Sequence, residues 1–164
     1  MSVNPLLTAG PALAPYYTCQ NMVYSAGTAS FSVANGTNVT VTFGPKISGS
    51  SQFFSYSVPA FTALIQGVYM VDLNMNWGSV STATNGSQGY FGYSYQLTDS
   101  NGNPYKISSQ SFSPFWSTVT SLNAPVMIKM NLGDQLSFTL WQNTSSSPVQ
   151  VLIKQLEITF ISAY

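Results

Sequence analysis

Every second residue from Tyr69 to Trp77 is large and apolar, while three of the four residues between them are polar. Successive side chains of a β-strand leave the backbone on opposite sides, whereas a helix would scatter the same apolar set around its axis. Residues 67–77 are therefore predicted to form a half-buried β-strand. The residues expected to face the core are Tyr69, Val71, Leu73, Met75 and Trp77.

The same period of two governs the other apolar rows of the chain. These rows are Phe31 and Val33; Val39, Val41 and Phe43; Phe54, Tyr56 and Val58; Phe91, Tyr93, Tyr95 and Leu97; Val126, Ile128, Met130 and Leu132; and Leu136, Phe138 and Leu140. Short strands about 8 to 12 residues apart, separated by Gly, Pro and Asn, are typical of an all-β sandwich or barrel. Long connections over 78–89 and 108–118 favour a single jelly-roll β-sandwich of about eight to ten antiparallel strands.

The last apolar row changes phase within the chain. Val149, Val151 and Ile153 occupy odd positions, and a second set from Leu156 to Phe160 occupies even positions. A shift of one residue moves a strand's side chains to the other face unless an extra residue is accommodated. We therefore predict a β-bulge or sharp bend at Lys154-Gln155.

The first 28 residues carry Pro, Ala, Gly and Tyr without any period, which predicts an extended N-terminal arm ahead of a jelly-roll domain over residues 29–164. Pro5, Pro11 and Pro15 interrupt the apolar residues of this arm, so we expect neither a signal peptide nor insertion into a membrane. Cys19 is the only cysteine, and we expect it to be a small buried or spare thiol.

Charge is nearly absent from this sequence. Four Lys and Arg residues balance four Asp and Glu residues, and charged residues make up 5% of the chain. Phosphate backbones are held by Lys and Arg, so nucleic acid is not an expected partner. Net charge far from zero keeps proteins soluble and monomeric, and its absence here favours a protein that lives inside an assembly.

The sequence lacks the side chains of most catalytic and metal sites. It has no His, the commonest general base and transition-metal ligand, so we expect neither enzymatic activity nor a metal or cofactor. Residues 99–103 begin like a calcium loop, with oxygen ligands at alternate positions. Pro104 stands where that motif needs Gly, and no Glu closes it, so a hairpin turn is favoured instead.

Five aromatic residues fall outside the inward rows. Rings of this kind can stack on the apolar faces of sugars beside Asn and Gln, but exposed aromatic residues are also enriched at subunit interfaces. Both hypotheses stay open, and we favour subunit contact. The candidates are Tyr90 and Trp141 on predicted outer faces, and Phe112, Phe115 and Trp116 in the loop over 108–118.

Residues 30–163 resemble the tumour necrosis factor and complement C1q superfamily of jelly rolls. The likeness is carried by Val58-Pro-Ala-Phe61 followed by Gly67-Val-Tyr69, by the turn and strand Leu132-Gly-Asp134-Gln-Leu136, and by the apolar last strand. The family's aromatic and Gly pair is absent from the last strand, which reads Glu157-Ile-Thr-Phe160-Ile. The resemblance implies a homotrimer, and we expect the strand over 67–77 or its neighbours to bury part of the subunit contact.

A neutral polar surface, a Pro-rich arm and a β-domain without catalytic side chains favour a structural protein of a virus particle, located in the virion. Its expected partners are further copies of itself and other capsid proteins, in a minor, vertex or spike position. One alternative is a head that binds a host glycan or receptor. Another is a C1q-like head at a bacterial surface or in a spore coat, which would be extracellular or at the cell surface.

Overall fold

The computed structural model describes residues 21–24, 30–44, 46–48, 53–78, 90–112, 120–144 and 147–163. These residues form strands and no helix. The strands are β1 (Asn21–Tyr24), β2 (Ser30–Val33), β3 (Asn38–Thr40), β4 (Lys46–Ser48), β5 (Phe54–Ser57), β6 (Ala60–Ala63), β7 (Gly67–Trp77), β8 (Phe91–Thr98), β9 (Pro104–Phe112), β10 (Thr120–Met130), β11 (Gln135–Gln142) and β12 (Val149–Ser162).

Two antiparallel sheets make up the fold. The first has the order β10-β7-β12-β1-β4, with β2 also paired to β12, and the second has the order β5-β6-β11-β8-β9, with β3 also paired to β11. Neighbouring strands are mostly distant in sequence, so the chain crosses repeatedly between the sheets. The predicted all-β jelly-roll sandwich is confirmed, and short strands such as β3 and β4 raise the number of strands above the expected eight to ten.

The core lies between the inner faces of the two sheets. Burial alternates strictly along β7 and β11, and the rows predicted from Tyr69 to Trp77 and from Phe91 to Leu97 are buried throughout. Trp77 of β7 stacks on Phe91 of β8 with 4.7 Å between the ring centroids, so the indole joins the two sheets. The half-buried strand predicted over 67–77 is thereby confirmed.

The phase change in β12 is a β-bulge. Its pairing with β7 shifts register between Ile153 and Gln155, and Ile153 and Leu156 on either side of the shift are both buried. The extra residue restores the inward direction of the second apolar set, as a bulge does. The prediction at Lys154-Gln155 is confirmed.

Three local expectations differ from the structure. Leu132 was expected to face inward but is 65% exposed, because β10 ends at Met130 and Gly133 turns the chain with φ of 87°. Val58 lies exposed in the turn between β5 and β6. Residues 108–112 were expected in a loop but continue β9, an edge strand whose exposed or half-buried Ser and Gln residues show no apolar alternation.

Part of the predicted arm belongs to a sheet. Residues 21–24 form β1, which pairs with β12 on one side and β4 on the other. Residues 1–20, including Cys19, lie outside the described residues, and the boundary at residue 28 stays a prediction. Among the described residues, no helix has the length and apolar character needed to span a membrane.

Candidate interaction surfaces

The outer face of the first sheet is formed by the side chains of β10, β7 and β12 that point away from the core. Met127 of β10 lies opposite Met70 of β7, and Met70 lies opposite Thr159 of β12. Val68 follows in the same direction, with Lys129 opposite it. Met127 is 63% exposed, whereas Met70 and Val68 are half-buried. One half of this face is therefore largely apolar.

The other half of the outer face is polar. Asp72 lies directly opposite Glu157 on the neighbouring strand, an arrangement of like charges that is unfavourable by itself. The side-chain amide of Asn123, with its nitrogen turned toward Asp72, donates to this carboxylate at 3.0 Å from Oδ2. The Ser121 hydroxyl donates to Asn76 Oδ1 at 2.7 Å. This half therefore carries amides and a hydroxyl on the same face as a pair of carboxylates.

Three of the predicted aromatic residues meet at one end of the second sheet, which we call the aromatic end (Tyr90, Phe112 and Trp141). Phe112 pairs with Phe91, and Trp141 pairs with Gly92, so all three residues surround the first residues of β8. The Tyr90 and Asn143 backbones are joined by a hydrogen bond from the Asn143 N–H to the Tyr90 carbonyl at 2.8 Å.

Trp141 rests over Gly92 on the outer side of β8. A Cβ at position 92 would come within 3.0 Å of the indole Cζ2 and 2.0 Å of the Gln110 carbonyl oxygen, so only glycine leaves room for both neighbours. Aromatic residues commonly cover a glycine across a strand pair in this way. Trp141 stays half-buried, and Tyr90 beside it is exposed.

Phe112 differs from the other two in its orientation. Its ring lies 6.4 Å from Phe91 and 6.5 Å from Tyr93, centroid to centroid, and it packs against the core. Phe115 and Trp116 lie outside the described residues. Whether any of the five aromatic residues contacts a partner stays a prediction.

A buried carboxylate organises the opposite end of the sandwich, which we call the turn end (residues 63–66, 99–105 and 131–134). Asp134 Oδ2 accepts hydrogen bonds from the Asn131 N–H and the Tyr105 hydroxyl, each at 2.7 Å. Gly133 donates from its N–H to the Ala63 carbonyl at 2.8 Å, and the Ala63 N–H donates to the Asp134 carbonyl at 2.9 Å. The Gly133-Asp134 turn was visible in the sequence, but its partner Tyr105 is 29 residues away and gave no signal.

The turn from Asp99 to Asn103 joins β8 to β9, as the hairpin prediction expected. Asp99 Oδ1 accepts from the N–H groups of Asn101 at 2.9 Å and Asn103 at 2.8 Å, so the carboxylate closes its own turn. Within the described part of the chain, no three His, Cys, Asp or Glu side chains are grouped as a metal site would need.

Burial raises the pKa of Tyr93 from its ordinary 10.0 to about 12, and Tyr95 and Asp72 add to the shift. The neutral phenol is therefore the form that the fold stabilises. Its contribution to stability is complete below pH 10 and is lost as the pH rises through about 12.

Comparison with known proteins identifies the architecture. No protein family and no curated protein matches the sequence. The globular domain of zebrafish complement 1qA matches with a TM-score of 0.57 and 14% identity, over 89% of this chain and 98% of that one. Eiger TNF from S. frugiperda matches with a TM-score of 0.60 and 9% identity, over 89% and 94%. The chain has the TNF/C1q-like jelly-roll fold.

The same fold occurs in virus particles. The PRD1 vertex protein matches this TNF/C1q-like jelly roll with a TM-score of 0.54 and 14% identity, over 88% of this chain and 96% of the other. Identities this low show a shared fold and nothing more specific. The resemblance predicted from the sequence is confirmed at the level of fold, and the solved structures that share this fold include C1q and TNF heads and a viral vertex protein.

The Asp99 turn gives a testable pH dependence. The pKa of Asp99 is lowered from its ordinary 3.8, first by the Asn103 backbone N–H, then by the Asn103 side-chain amide, with a further contribution from Asn101. The charged Asp99 carboxylate therefore stabilises the turn at pH values above 3.8. This stabilisation is lost as the pH falls through the lowered pKa. A carbon-13 NMR titration of the Asp99 carboxyl is expected to give a midpoint below 3.8. A midpoint at or above that value would contradict the hydrogen-bonding seen in the turn.

Proposed function

We propose that this protein is a structural component of a virus particle and that it assembles as a homotrimer through the outer face of its first sheet. The observation that carries the proposal is the apolar half of that face, where Met127 is 63% exposed beside Met70 and Val68 although the core behind them is complete. Exposed apolar residues grouped on a sheet face are characteristic of a surface that another protein covers.

The charge distribution supports self-assembly and limits where the contact lies. Burying an unpaired carboxylate would cost several kcal/mol, so Asp72 and Glu157 belong at the rim of the contact rather than at its centre. The apolar half around Met127 is then the centre, and Lys129 opposite Val68 lies at its edge, next to the end of β10 at Met130. With no net charge on the chain, further copies approach without long-range repulsion.

The likeness to the PRD1 vertex protein supports a place in the virion, with other capsid proteins as neighbours. Four cationic side chains in 164 residues make a layer against the genome unfavourable, so a vertex or spike position fits better than a shell that wraps nucleic acid. An extracellular head of the C1q kind is the alternative location.

The homotrimer can be tested by placing a charge on the proposed contact. Met127→Asp is expected to convert the trimer to monomers, because the carboxylate would have to be buried in the apolar half. The matched control is Ile107→Asp, since Ile107 is 64% exposed but lies on β9 of the other sheet. Light scattering after gel filtration gives the mass of each variant, and far-UV circular dichroism confirms the fold. A wild-type chain that is monomeric at micromolar concentration would contradict the proposal.

The place in the particle calls for a separate measurement. Antibodies are raised against the purified chain, labelled with gold and bound to intact particles, which are then imaged in negative stain. We expect the gold to mark a few sites per particle, at vertices or spikes. Uniform labelling over the whole shell would overturn the vertex position. Absence of the chain from purified particles would overturn the structural role.

A second candidate function is glycan binding at the aromatic end. The specific observation is that Tyr90 and Trp141 present rings at one end of the second sheet, with Asn38 opposite Trp141 as a polar neighbour. Flat rings beside amide groups are suited to the apolar and hydroxyl faces of a sugar. This surface is separate from the outer face of the first sheet, so a spike could use both.

Glycan-array binding tests this second candidate. Trp141→Ala is expected to reduce binding at least tenfold, because it removes the stacking surface over Gly92, and Trp116→Ala is expected to act in the same direction. Ile107→Ala removes an exposed apolar side chain from the edge strand β9 and is expected to leave binding unchanged. Equal binding by the wild type and Trp141→Ala would exclude the aromatic end as the site.

A further inference from the structure

Three exposed apolar side chains lie at the turn end: Leu132, Tyr105 and Leu64, with exposures of 65%, 49% and 41%. Leu64 and Leu132 flank the two backbone hydrogen bonds that join Ala63 to Gly133 and Asp134. The Tyr105 hydroxyl reaches the same Asp134, which places its ring beside this junction. We call these three side chains the apolar end patch.

Further contacts hold the backbone beneath the apolar end patch. The Leu64 N–H donates to the Phe53 carbonyl at 2.7 Å, and the buried Tyr69 hydroxyl donates to the Ile65 carbonyl. Ser100 of the neighbouring turn packs against Gly133, since a Cβ on that glycine would lie 3.1 Å from the Ser100 Cβ. Because this backbone is already ordered, binding of a partner costs the patch the conformational entropy of its side chains but little of its backbone.

The N-terminal segment of the chain enters the sheet toward this end. Asn21, the first residue of β1, pairs with Thr159, and β12 runs on from there to Ser162 beside Val68. Thr159 also lies opposite Met70, which is three residues from the start of β7 at Gly67. Three residues of strand span about 10 Å. Asn21 therefore lies about 10 Å along the sheet from the turn end, with the chain running toward that end in the N-terminal direction.

The composition of residues 1–20 is complementary to the apolar end patch. The segment carries no charged side chain, and Leu6 and Leu7 lie between Pro5 and Pro11. Proline favours an extended polyproline conformation, which lowers the entropy lost on binding and suits recognition by exposed aromatic rings such as Tyr105. Twenty fully extended residues reach about 66 to 72 Å, which is far more than the distance from Asn21 to the turn end.

We propose that residues 1–20 bind across the apolar end patch of their own chain, with Leu6 and Leu7 covering Leu132, Leu64 and the Tyr105 ring. A tether of this length gives the segment a millimolar effective concentration at its own patch, which favours this occupant over a free second copy at micromolar concentration. The inference does not depend on the trimer or on the place in the particle, because it concerns a different end of the molecule.

Limited proteolysis of the full chain tests the proposal. Chymotrypsin cleaves after Leu6 and Leu7, and a bound segment is expected to be protected there. Leu132→Asp is expected to raise the cleavage rate at these two bonds at least tenfold, because the carboxylate would be buried against leucine side chains. Leu64→Asp provides a second variant, and Ile107→Asp, which matches Leu132 in exposure at 64%, is expected to leave the rate unchanged.

The outcomes separate the possible occupants. Protection that is independent of protein concentration and lost in Leu132→Asp supports binding by the chain's own segment. Protection that disappears on dilution would assign the patch to a second copy and overturn the proposal. Equal cleavage of the wild type and both variants would show that the segment does not bind there. Circular dichroism melting curves of each variant establish that the domain remains folded.

Discussion

The structure depends on packing between two sheets that each present one continuous apolar face. Trp77, Leu73 and Tyr69 on β7 and the matching rows on β8 and β11 fill the space between the sheets, and the Trp77 and Phe91 rings lie in contact across it. Burial of such side chains contributes about 1.5 to 3 kcal/mol each, before the entropy cost of folding is subtracted. This core also determines which residues form the outer faces of the sheets, since outward residues alternate along each strand with the residues that face the core.

Near neutrality makes the outward residues unusually informative. In a typical soluble domain, Lys and Glu cover the outer faces, and exposed apolar residues are scattered among them. Here the outer face of the first sheet carries Met127, Met70 and Val68 in one half and the Asp72 and Glu157 pair in the other. The pair of like charges is unfavourable in the isolated sheet, and the apolar area beside it is poorly solvated by water. Both features fit a surface whose environment changes on assembly.

Sequence patterning predicts what depends on local alternation and misses what depends on distant contacts. The alternation of apolar and polar residues was enough to predict the burial of β7 and the bulge beside Lys154, because successive residues of a strand face opposite sides of the sheet. The C-terminal half of β9 was not predicted as strand, because its Ser and Gln residues lie at an edge of the sheet where no core requires an apolar row. Leu132 continues the apolar alternation of β10 in the sequence but lies beyond the end of that strand. Asp134 was recognised as a turn residue, while its bond to Tyr105 depends on how β8 and β9 return to the turn end.

The two ends of the sandwich and the outer face of the first sheet serve different physical requirements. The aromatic end offers rings beside amide groups and suits a polar ligand with apolar faces. The turn end offers aliphatic side chains on a hydrogen-bonded base and suits an apolar segment of chain. If residues 1–20 cover the turn end, the apolar half around Met127 becomes the principal uncovered apolar area among the described residues. The proposed arm would then leave the outer face of the first sheet as the surface that directs copies of the protein to one another, since association through the turn end would be blocked.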